Sequence, residues 1–294
     1  MPDTLSSFVS VLDAQATLAE CPVWAPDEQV LYWVDILAPS LNRFDPTTGR
    51  NTLWSLPEHI GCFGRRQRGG FIAGLRSGLW LLDTTGQPTE CLARPISDTT
   101  VNRFNDGRVD PWGRFWAGTI NERCQPTAQL FQIAADLTRT LVADDIRVSN
   151  GVAFSPDRCW AYHADSPSHV VYQYPLDSET GAVTGPRRIF HQFPEGEGCP
   201  DGAAVDSEGC YWTALFEGGR VVRLSPTGKI LEEHPVPALC PTMCAFGGPD
   251  LKTLYVTSAR ENRTAEQLAQ WPQSGNIFAM SVAVPGLPEP LFAG

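Results

Sequence analysis

The stretch "GVAFSPDRCWAYHADSPSHVVYQYPLDSETG", residues 151–181, decides the fold class because it reads as one complete structural module. A Gly opens a short apolar segment, a Ser-Pro-Asp turn follows, and an aromatic-rich segment and a closing segment come after it. Short alternating runs rich in Val, Trp, Tyr and Phe, separated by turn residues, are typical of β-strands. The module therefore predicts a small antiparallel sheet.

The same module recurs along the chain. Copies begin at Cys21, Gly61, Gly107, Gly151, Gly202 and Met243. Successive starts are separated by 40, 46, 44, 51 and 41 residues. A period in the forties with about four strands per repeat is typical of a β-propeller. No Trp-Asp or Gly-His signature recurs, which argues against a WD-repeat scaffold. We predict an all-β chain that forms one six-bladed β-propeller domain over residues 1–294.

Two segments lie outside the repeat pattern. The strand-like "SFVSVLDA", residues 7–14, precedes the first module, and we expect it to close the ring against the last blade, leaving no open edge. The best helix candidate is "TAEQLAQW", residues 264–271, which is only about two turns long.

Composition and charge limit the partners of the protein. The 294-residue chain has 42% hydrophobic residues and a formal net charge of -11, which opposes nucleic acid and anionic membranes. No basic stretch followed by an apolar one begins the chain, and no segment approaches a membrane span, so we expect a cytoplasmic protein. Its nine Cys lack paired zinc spacing, and we expect reduced thiols. The sequence carries no signal for oligomeric state.

Oxygen-bearing residues recur at one position of the module, directly before the expected innermost strand. In chain order these positions hold Glu20, Ile60, Asn105 with Asp106, Asn150, Asp201 and Thr242. Four of these six positions carry an acid or an amide. Turn chemistry alone explains any single Asn-Asp-Gly or Asp-Gly, but independent turns do not require a common register. Because such strand starts converge on the central axis of a propeller, we expect these side chains to meet there.

Glu20, Asn150 and Asp201 together offer two carboxylates and one amide carbonyl. Unpaired carboxylates that converge in a channel raise each other's pKa, and a divalent cation removes that conflict. So few protein ligands leave coordination positions open for water and substrate, as in catalytic sites. Capping stays open as an alternative role for Glu20, and a turn role stays open for Asn150, Asp201 and Asn105. We expect Asp106 to lie behind the ligands, because neighbouring strand residues point apart.

At these residues the sequence resembles the SMP-30/gluconolactonase/luciferin-regenerating-enzyme family, which includes regucalcin and bacterial sugar lactonases. The strings that carry the resemblance span nearly the whole chain: "AECPVW", "RFNDGRVDPWGRFWAGT", "SNGVAFSPD", "PDGAAVDSEGCYWTALFEGGRVVRLSPTGK", "PTMCAFGGPDLKTLYVTSAR" and a terminal "LFAG". The resemblance implies a six-bladed propeller with a single divalent metal, held at its centre by Glu20, Asn150 and Asp201.

The resemblance also implies substrate-binding residues. Asn105 lies near the metal, and Arg103 matches a residue of the family's substrate pocket, although by itself it reads as a surface Arg. A family acid that contacts substrate follows "AGT", but "AGTINER" places Glu122 one position short of it. We therefore expect Glu122 to be the matching substrate-binding acid, although its position departs from the family pattern.

The chemistry that fits is hydrolysis of a sugar-acid lactone to the open-chain aldonic acid. The lactone carbonyl oxygen would bind the metal as a Lewis acid, and Asp201 is the candidate general base toward water. Asn105 and Arg103 would orient the ring hydroxyls and stabilise the developing oxyanion. No G-x-S-x-G motif occurs and the five His share no module position, so a Ser-His nucleophile is not expected.

Two other functions stay open at this stage. One is phosphotriester or aryl ester hydrolysis at the same site, and the other is a non-catalytic calcium-binding or interaction propeller. Oxygen ligands favour calcium, magnesium or manganese, whereas members of the resembling family also use zinc, so calcium and zinc lead the expectation. Which sugar lactone is used has no readable code in the rim loops.

Overall fold

The described part of the chain forms six antiparallel sheets of four strands each. The structure, a computed structural model, describes residues 7–94, 96 and 98–294, so residues 1–6, 95 and 97 of the predicted single domain lie outside it. Within each of the first five sheets the strands follow chain order from the innermost to the outermost. Innermost strands of neighbouring sheets contact one another around a closed ring. The predicted six-bladed β-propeller is confirmed.

The strand bounds of the first three blades match the sequence modules. Blade 1 contains β2 (Ala19–Ala25), β3 (Val30–Asp35), β4 (Ser40–Asp45) and β5 (Arg50–Ser55). Blade 2 contains β6 (Ile60–Arg65), β7 (Phe71–Leu75), β8 (Gly78–Leu82) and β9 (Pro88–Ala93). Blade 3 contains β10 (Asn102–Val109), β11 (Phe115–Asn121), β12 (Ala128–Ile133) and β13 (Arg139–Ile146).

The remaining blades repeat the pattern, with one change in the last. Blade 4 contains β14 (Ser149–Phe154), β15 (Trp160–Asp165), β16 (Val170–Pro175) and β17 (Arg188–Gln192). Blade 5 contains β18 (Cys199–Val205), β19 (Tyr211–Phe216), β20 (Arg220–Leu224) and β21 (Ile230–Pro235). Blade 6 combines β22 (Pro241–Gly247), β23 (Thr253–Ser258) and β24 (Ile277–Ser281) with the N-terminal β1 (Val9–Leu12).

The N-terminal strand closes the ring as expected. β1 pairs antiparallel with β24, placing Val9 opposite Ala279, and so covers the outer edge of the last blade. The ring is thus joined by backbone hydrogen bonds between the two ends of the chain.

The only α-helix of the described ranges, α1 (Ala265–Gln270), coincides with the predicted one. The Thr264 side chain caps it by accepting a hydrogen bond from the backbone of Gln267, and the Gln267 side chain in turn accepts one from the backbone of Thr264. No helix in the part of the chain that the structure describes is long and apolar enough to cross a membrane.

Aromatic pairs join neighbouring blades. Trp116 meets Phe154 edge-on at 5.3 Å between blades 3 and 4, and Trp24 stacks on Tyr255 at 5.7 Å between blades 1 and 6. Both members of each pair are buried. Because flat sheets fanning around an axis leave wedge-shaped gaps, large aromatic side chains fill them well and supply much of the apolar burial.

The C-terminal segment, residues 283–294, closes the end of the channel opposite Glu20. Its backbone bonds to several blades: Phe292 donates to Arg65 O at 2.8 Å, and Ala293 donates to Gly113 O at 2.9 Å. Glu289 forms a buried ion pair with Arg108 of β10, the two side chains being 13% and 10% exposed. A cavity of about 280 Å³ lies beside this pair, at the end of the propeller remote from Glu20.

This ion pair yields a prediction about stability. Glu289→Ala leaves the Arg108 guanidinium buried without its carboxylate, which typically costs about 3–5 kcal/mol. We expect the thermal unfolding midpoint, followed by circular dichroism, to fall by roughly 6–10 °C. Glu195→Ala, which removes an exposed acid, is the control and leaves the midpoint unchanged. An unchanged midpoint in Glu289→Ala would show that the segment does not depend on the pair.

Candidate metal and substrate site

All six innermost strands are irregular at corresponding positions. Each changes register against its neighbour near its first residues, at the level of Glu20, Asn150 and their counterparts. In β2 the irregularity is a bulge, with the four residues from Glu20 to Val23 opposite the three from Tyr32 to Val34 on β3. The residues that follow Glu20 and Asn150 are left-handed: Cys21 has φ 48° and Gly151 has φ 63°.

This geometry corrects the expectation that the oxygen-bearing residues precede the innermost strands. They lie inside the strands, at the bulges. A bulge accommodates the polar and Gly-rich residues that are also typical of a turn, but it does not end the strand. The bulge also interrupts the backbone ladder and redirects side chains. A common bulge in six converging strands therefore explains why one register of the module carries the polar residues.

Three buried carboxyl groups belong to this level of the channel: Glu20, Asp106 and Asp201. Burial and the nearby charge of Asp106 raise the pKa of Glu20 from 4.5 to about 8. Burial and the charges of Glu20 and Asp106 hold the pKa of Asp201 well above 3.8. These shifts follow from placing like charges together away from water.

Asp106 differs from the other two acids in its hydrogen bonds. Its Oδ1 accepts from the backbone of Gly107 at 2.8 Å and its Oδ2 accepts from the backbone of Val152 at 3.0 Å. Both oxygens are thus occupied by backbone groups at the bulges of β10 and β14. The arrangement occupies both Asp106 oxygens with backbone groups and ties blade 3 to blade 4.

Amide side chains connect the same two blades on the channel side. Asn105 Nδ2 donates to Asn150 Oδ1 at 2.8 Å and to Ser149 O at 3.1 Å. Asn150 Nδ2 donates to Ser166 Oγ at 2.8 Å, and that hydroxyl donates to Pro200 O at 2.6 Å, directly before Asp201. The bonds orient the Asn150 carbonyl oxygen, which keeps a second lone pair for a ligand.

Arg103 is not a surface residue. It is only 4% exposed, in contrast to its reading from the sequence alone, because β10 places it beside Asn105 at the channel. Its Nη1 donates to Asn105 Oδ1 at 2.7 Å and to Phe104 O at 3.0 Å. Its Nε donates to Glu122 Oε1 at 3.2 Å.

Glu122 is held between two guanidinium groups. Arg76 Nη2 donates to Glu122 Oε1 at 2.6 Å and Arg76 Nη1 donates to Oε2 at 3.3 Å, while Arg103 binds Oε1. Burial opposes the shift, but the bonds to Arg76 and Arg103 hold the pKa of Glu122 below 4.5. Both carboxylate oxygens therefore already have partners in the protein.

Two aspartates that the sequence analysis did not single out position the strands of the site. Asp35 accepts backbone hydrogen bonds from Thr17 at 2.7 Å and Leu18 at 3.1 Å, directly ahead of Glu20. Asp165 likewise accepts from Arg147 at 3.2 Å and Val148 at 3.0 Å, ahead of Asn150. Each ends the second strand of its module, in "YWVD" and "AYHAD", and that shared register was the available signal.

A Ser-His contact lies next to the site but does not resemble a nucleophile. Ser149 Oγ is 2.8 Å from His163 Nε2, and both residues are fully buried. His163 Nδ1 has no partner, so no acid orients the ring, and burial lowers the pKa of His163 to about 3. A nucleophile needs access to substrate and an oriented base. The pair has neither.

The residues present fit a divalent cation. Glu20 uses Oε2 to accept from its neighbour Cys21 at 3.2 Å, and its Oε1 has no hydrogen bond to a described residue. No group of three or more His, Cys, Asp or Glu side chains suited to a metal occurs in residues 7–94, 96 and 98–294; the set here pairs two acids with one amide. Buried acids with raised pKa values and free oxygens are suitable ligands for a hard cation.

Comparison with known proteins adds independent evidence. Residues 18–260 match the family model described as the SMP-30/Gluconolactonase/LRE-like region. A 6-deoxy-6-sulfogluconolactonase of Pseudomonas putida is 56% identical over 97% of this chain and 98% of its own. Regucalcin of Xenopus laevis is 36% identical over 94% and 95%. The crystal structure of a calcium-binding protein, regucalcin, from Agrobacterium tumefaciens superposes with a TM-score of 0.93 at 31% identity, covering 99% of both chains.

The site predicts how loss of one carboxylate affects metal binding. Glu20→Gln removes a charged ligand but keeps its shape, so we expect divalent-metal affinity, measured by titration calorimetry, to fall at least roughly tenfold. The unfolding midpoint of the metal-free protein does not fall, because Gln is neutral, like the protonated Glu20 that burial and the charge of Asp106 favour. Glu90→Gln, which neutralises an exposed acid on β9, serves as the charge control. Wild-type affinity in Glu20→Gln would count against ligation by Glu20.

Proposed function

The chain belongs to the SMP-30/gluconolactonase/LRE-like family, and we propose that it is a metal-dependent lactonase that hydrolyses sugar-acid lactones to open-chain aldonic acids. One observation carries the proposal: two buried carboxyls with raised pKa values and an oriented amide lie at one level of the channel. The relative of highest identity described above is itself named as a lactonase.

In this proposal Glu20, Asn150 and Asp201 hold one divalent cation. When bound, the cation supplies Lewis acidity toward the lactone carbonyl. Their all-oxygen donor set suits calcium, magnesium or manganese. We propose to test these three ions and zinc, beginning with calcium and zinc. The calcium-binding regucalcin that shares the fold supports a divalent ion in general.

The acidic and basic groups around the proposed cation have different roles in the reaction. Asp201 is the proposed general base that takes a proton from the attacking water, since it lies at the bulge of β18 and its side chain forms no hydrogen bond with another described side chain. Asn105 and Arg103 orient the ring and stabilise negative charge on the carbonyl oxygen as the ring opens. Glu122 was expected to bind substrate, and we propose that it acts through Arg103 because its oxygens are already paired.

The alternatives from the sequence are separable by the same assay. Phosphotriester or aryl ester hydrolysis would use the same cation and base on a different substrate. A calcium-binding protein without turnover would bind the ion and leave every lactone at its spontaneous rate. The 56% identity to a lactonase, against 31% to the calcium-binding protein, favours the lactone.

We propose that the substrate carries a sulfonate in place of the terminal hydroxyl, as the substrate name of the P. putida relative indicates. Arg76 and Arg103 share the single carboxylate of Glu122, which leaves one guanidinium charge of this trio uncompensated. In a protein of net charge -11, an anionic substrate needs such a local cation.

The substrate prediction compares two lactones of one ring size. With saturating metal, we expect kcat/KM for 6-deoxy-6-sulfogluconolactone to exceed that for glucono-1,5-lactone by roughly fivefold or more at low salt, and the difference to shrink as salt screens the charges. A pH-stat assay measures both, with spontaneous ring opening subtracted. Chelation abolishes both activities. Equal efficiency on the two lactones at low salt would overturn the sulfonate preference. If neither lactone is hydrolysed above its spontaneous rate, the lactonase function is overturned.

A second prediction separates the two roles of Asp201. Asp201→Asn keeps an oxygen ligand and similar volume, so metal binding persists at raised metal concentration. Turnover does not recover with it, because loss of a general base typically costs about 10² to 10⁴ in rate. Lactone hydrolysis is measured with the variant saturated with metal, as verified by calorimetry. Wild-type turnover in that state would remove Asp201 as the base.

A further inference from the structure

Glu261 lies at the mouth of the site although neither the sequence analysis nor the proposed mechanism uses it. It follows β23 in the loop that leads to α1. The backbone of Glu261 donates to Thr17 O at 2.9 Å, as does that of Arg260 at 3.0 Å, and Ala259 bridges to Leu18. These bonds fix the loop against the segment that enters β2, three residues ahead of Glu20.

The Glu261 carboxyl has no partner in the described chain despite being half-buried. No hydrogen bond or ion pair of its side chain forms with any residue in the described ranges, whereas the other acids of this rim are paired. Glu122 binds two guanidinium groups, and Glu217 binds Arg263 at 2.7 Å. A half-buried carboxylate without a protein partner keeps its acceptor capacity for water or for a ligand.

The fold places Glu261 at the same end of the channel as the site, because its loop is bonded to Thr17, just ahead of β2, and Arg103 lies near the start of β10. The charge of Glu261 contributes to the raised pKa values of Glu20 and Asp201. Burial raises the pKa of Glu261 itself, while the charge of Arg103 opposes that rise. The charges of Glu261 and Arg103 therefore influence each other at this end of the channel.

Arg103 presents an unused donor at the same end of the channel. Its Nε and Nη1 are bonded to Glu122, Phe104 and Asn105, but its Nη2 forms no hydrogen bond to a residue of the described chain. A guanidinium can only donate and a carboxylate can only accept. A sugar hydroxyl does both, and therefore matches an unused donor together with an unused acceptor.

We propose that Glu261 is a substrate-binding residue, whose carboxylate accepts a hydrogen bond from a hydroxyl of the lactone while that hydroxyl oxygen accepts from Arg103 Nη2. The inference rests on the proposed lactonase function and deepens it: the substrate class is a polyhydroxylated lactone, and the loop between β23 and α1 reads its hydroxyl pattern. Glu261 takes no part in the chemical step.

The test compares a hydroxylated lactone with a bare one. Glucono-1,5-lactone and δ-valerolactone share a six-membered ring, but only the first carries hydroxyls. We expect Glu261→Ala to raise KM for gluconolactone roughly 10-fold to 100-fold with kcat largely kept, because a hydrogen bond to a charged group is lost. Efficiency on valerolactone changes less than about twofold, since that ring offers no hydroxyl.

Three controls keep the result interpretable. Glu261→Gln retains an acceptor oxygen and should recover part of the lost affinity. Glu266→Gln neutralises an exposed acid on α1, five residues along, and should behave as wild type. Metal affinity and the thermal midpoint of each variant are measured in parallel, so that KM and kcat are compared at saturating metal and on folded protein.

The outcomes separate the inference from the function on which it rests. If the wild type hydrolyses no lactone, the lactonase proposal fails. If the wild type is active and Glu261→Ala leaves KM for gluconolactone unchanged, or lowers kcat instead, the substrate contact is wrong. Should both lactones lose efficiency equally, Glu261 acts on the metal site and not on hydroxyls. The KM and kcat of gluconolactone decide the matter even if valerolactone proves a poor substrate.

Discussion

The mutual repulsion of buried carboxyl groups is the constraint on which the functional end of this propeller depends. Glu20, Asp106 and Asp201 lie at one level of the channel, and burial raises the pKa of all three, with neighbouring acid charges adding to the rise for Glu20 and Asp201. Without a cation such a group must take up protons, because desolvated like charges do not coexist. The divalent ion that we propose would replace those protons and let the strands converge with their acids ionised. In that proposal the same side chains would serve both the fold and the metal site.

The β-bulge is the backbone device that makes this convergence possible. A regular strand would alternate Asn105 and Asp106 between opposite faces and would use its N–H groups in the ladder. At the bulges, the backbone groups of Gly107 and Val152 instead bond to the Asp106 carboxylate. The polar side chains gain partners from the same distortion that aims them. Six strands with one shared irregularity thus form a site that no single blade could form.

Hydrogen bonds extend the site outward from the metal-facing amide to the rim. Asn150 is bonded to Asn105, Asn105 to Arg103, Arg103 to Glu122 and Glu122 to Arg76. The chain crosses blades 4, 3 and 2, and each link joins a donor to an acceptor with no donor left facing a donor. Buried polar networks are stabilising only when their members are satisfied in this way. The network leaves Arg103 Nη2 without a bond to a described residue, and this is the donor to which we propose that a substrate hydroxyl binds.

Local chemistry in the sequence by itself determined the propeller, its six modules, the closing N-terminal strand and the capped helix, because strand alternation, turn residues and capping act over a few neighbouring residues. The common position of Glu20, Asn150 and Asp201 in their modules also identified them as candidates, since the starts of converging strands lie at one level of the channel. Only the tertiary structure decided that Arg103 is buried, that Glu122 is already paired and that Glu261 lies at the same end of the channel as the site. These facts depend on loops far apart in the chain that meet at the channel mouth, where burial and charge are set by neighbours that no local pattern specifies.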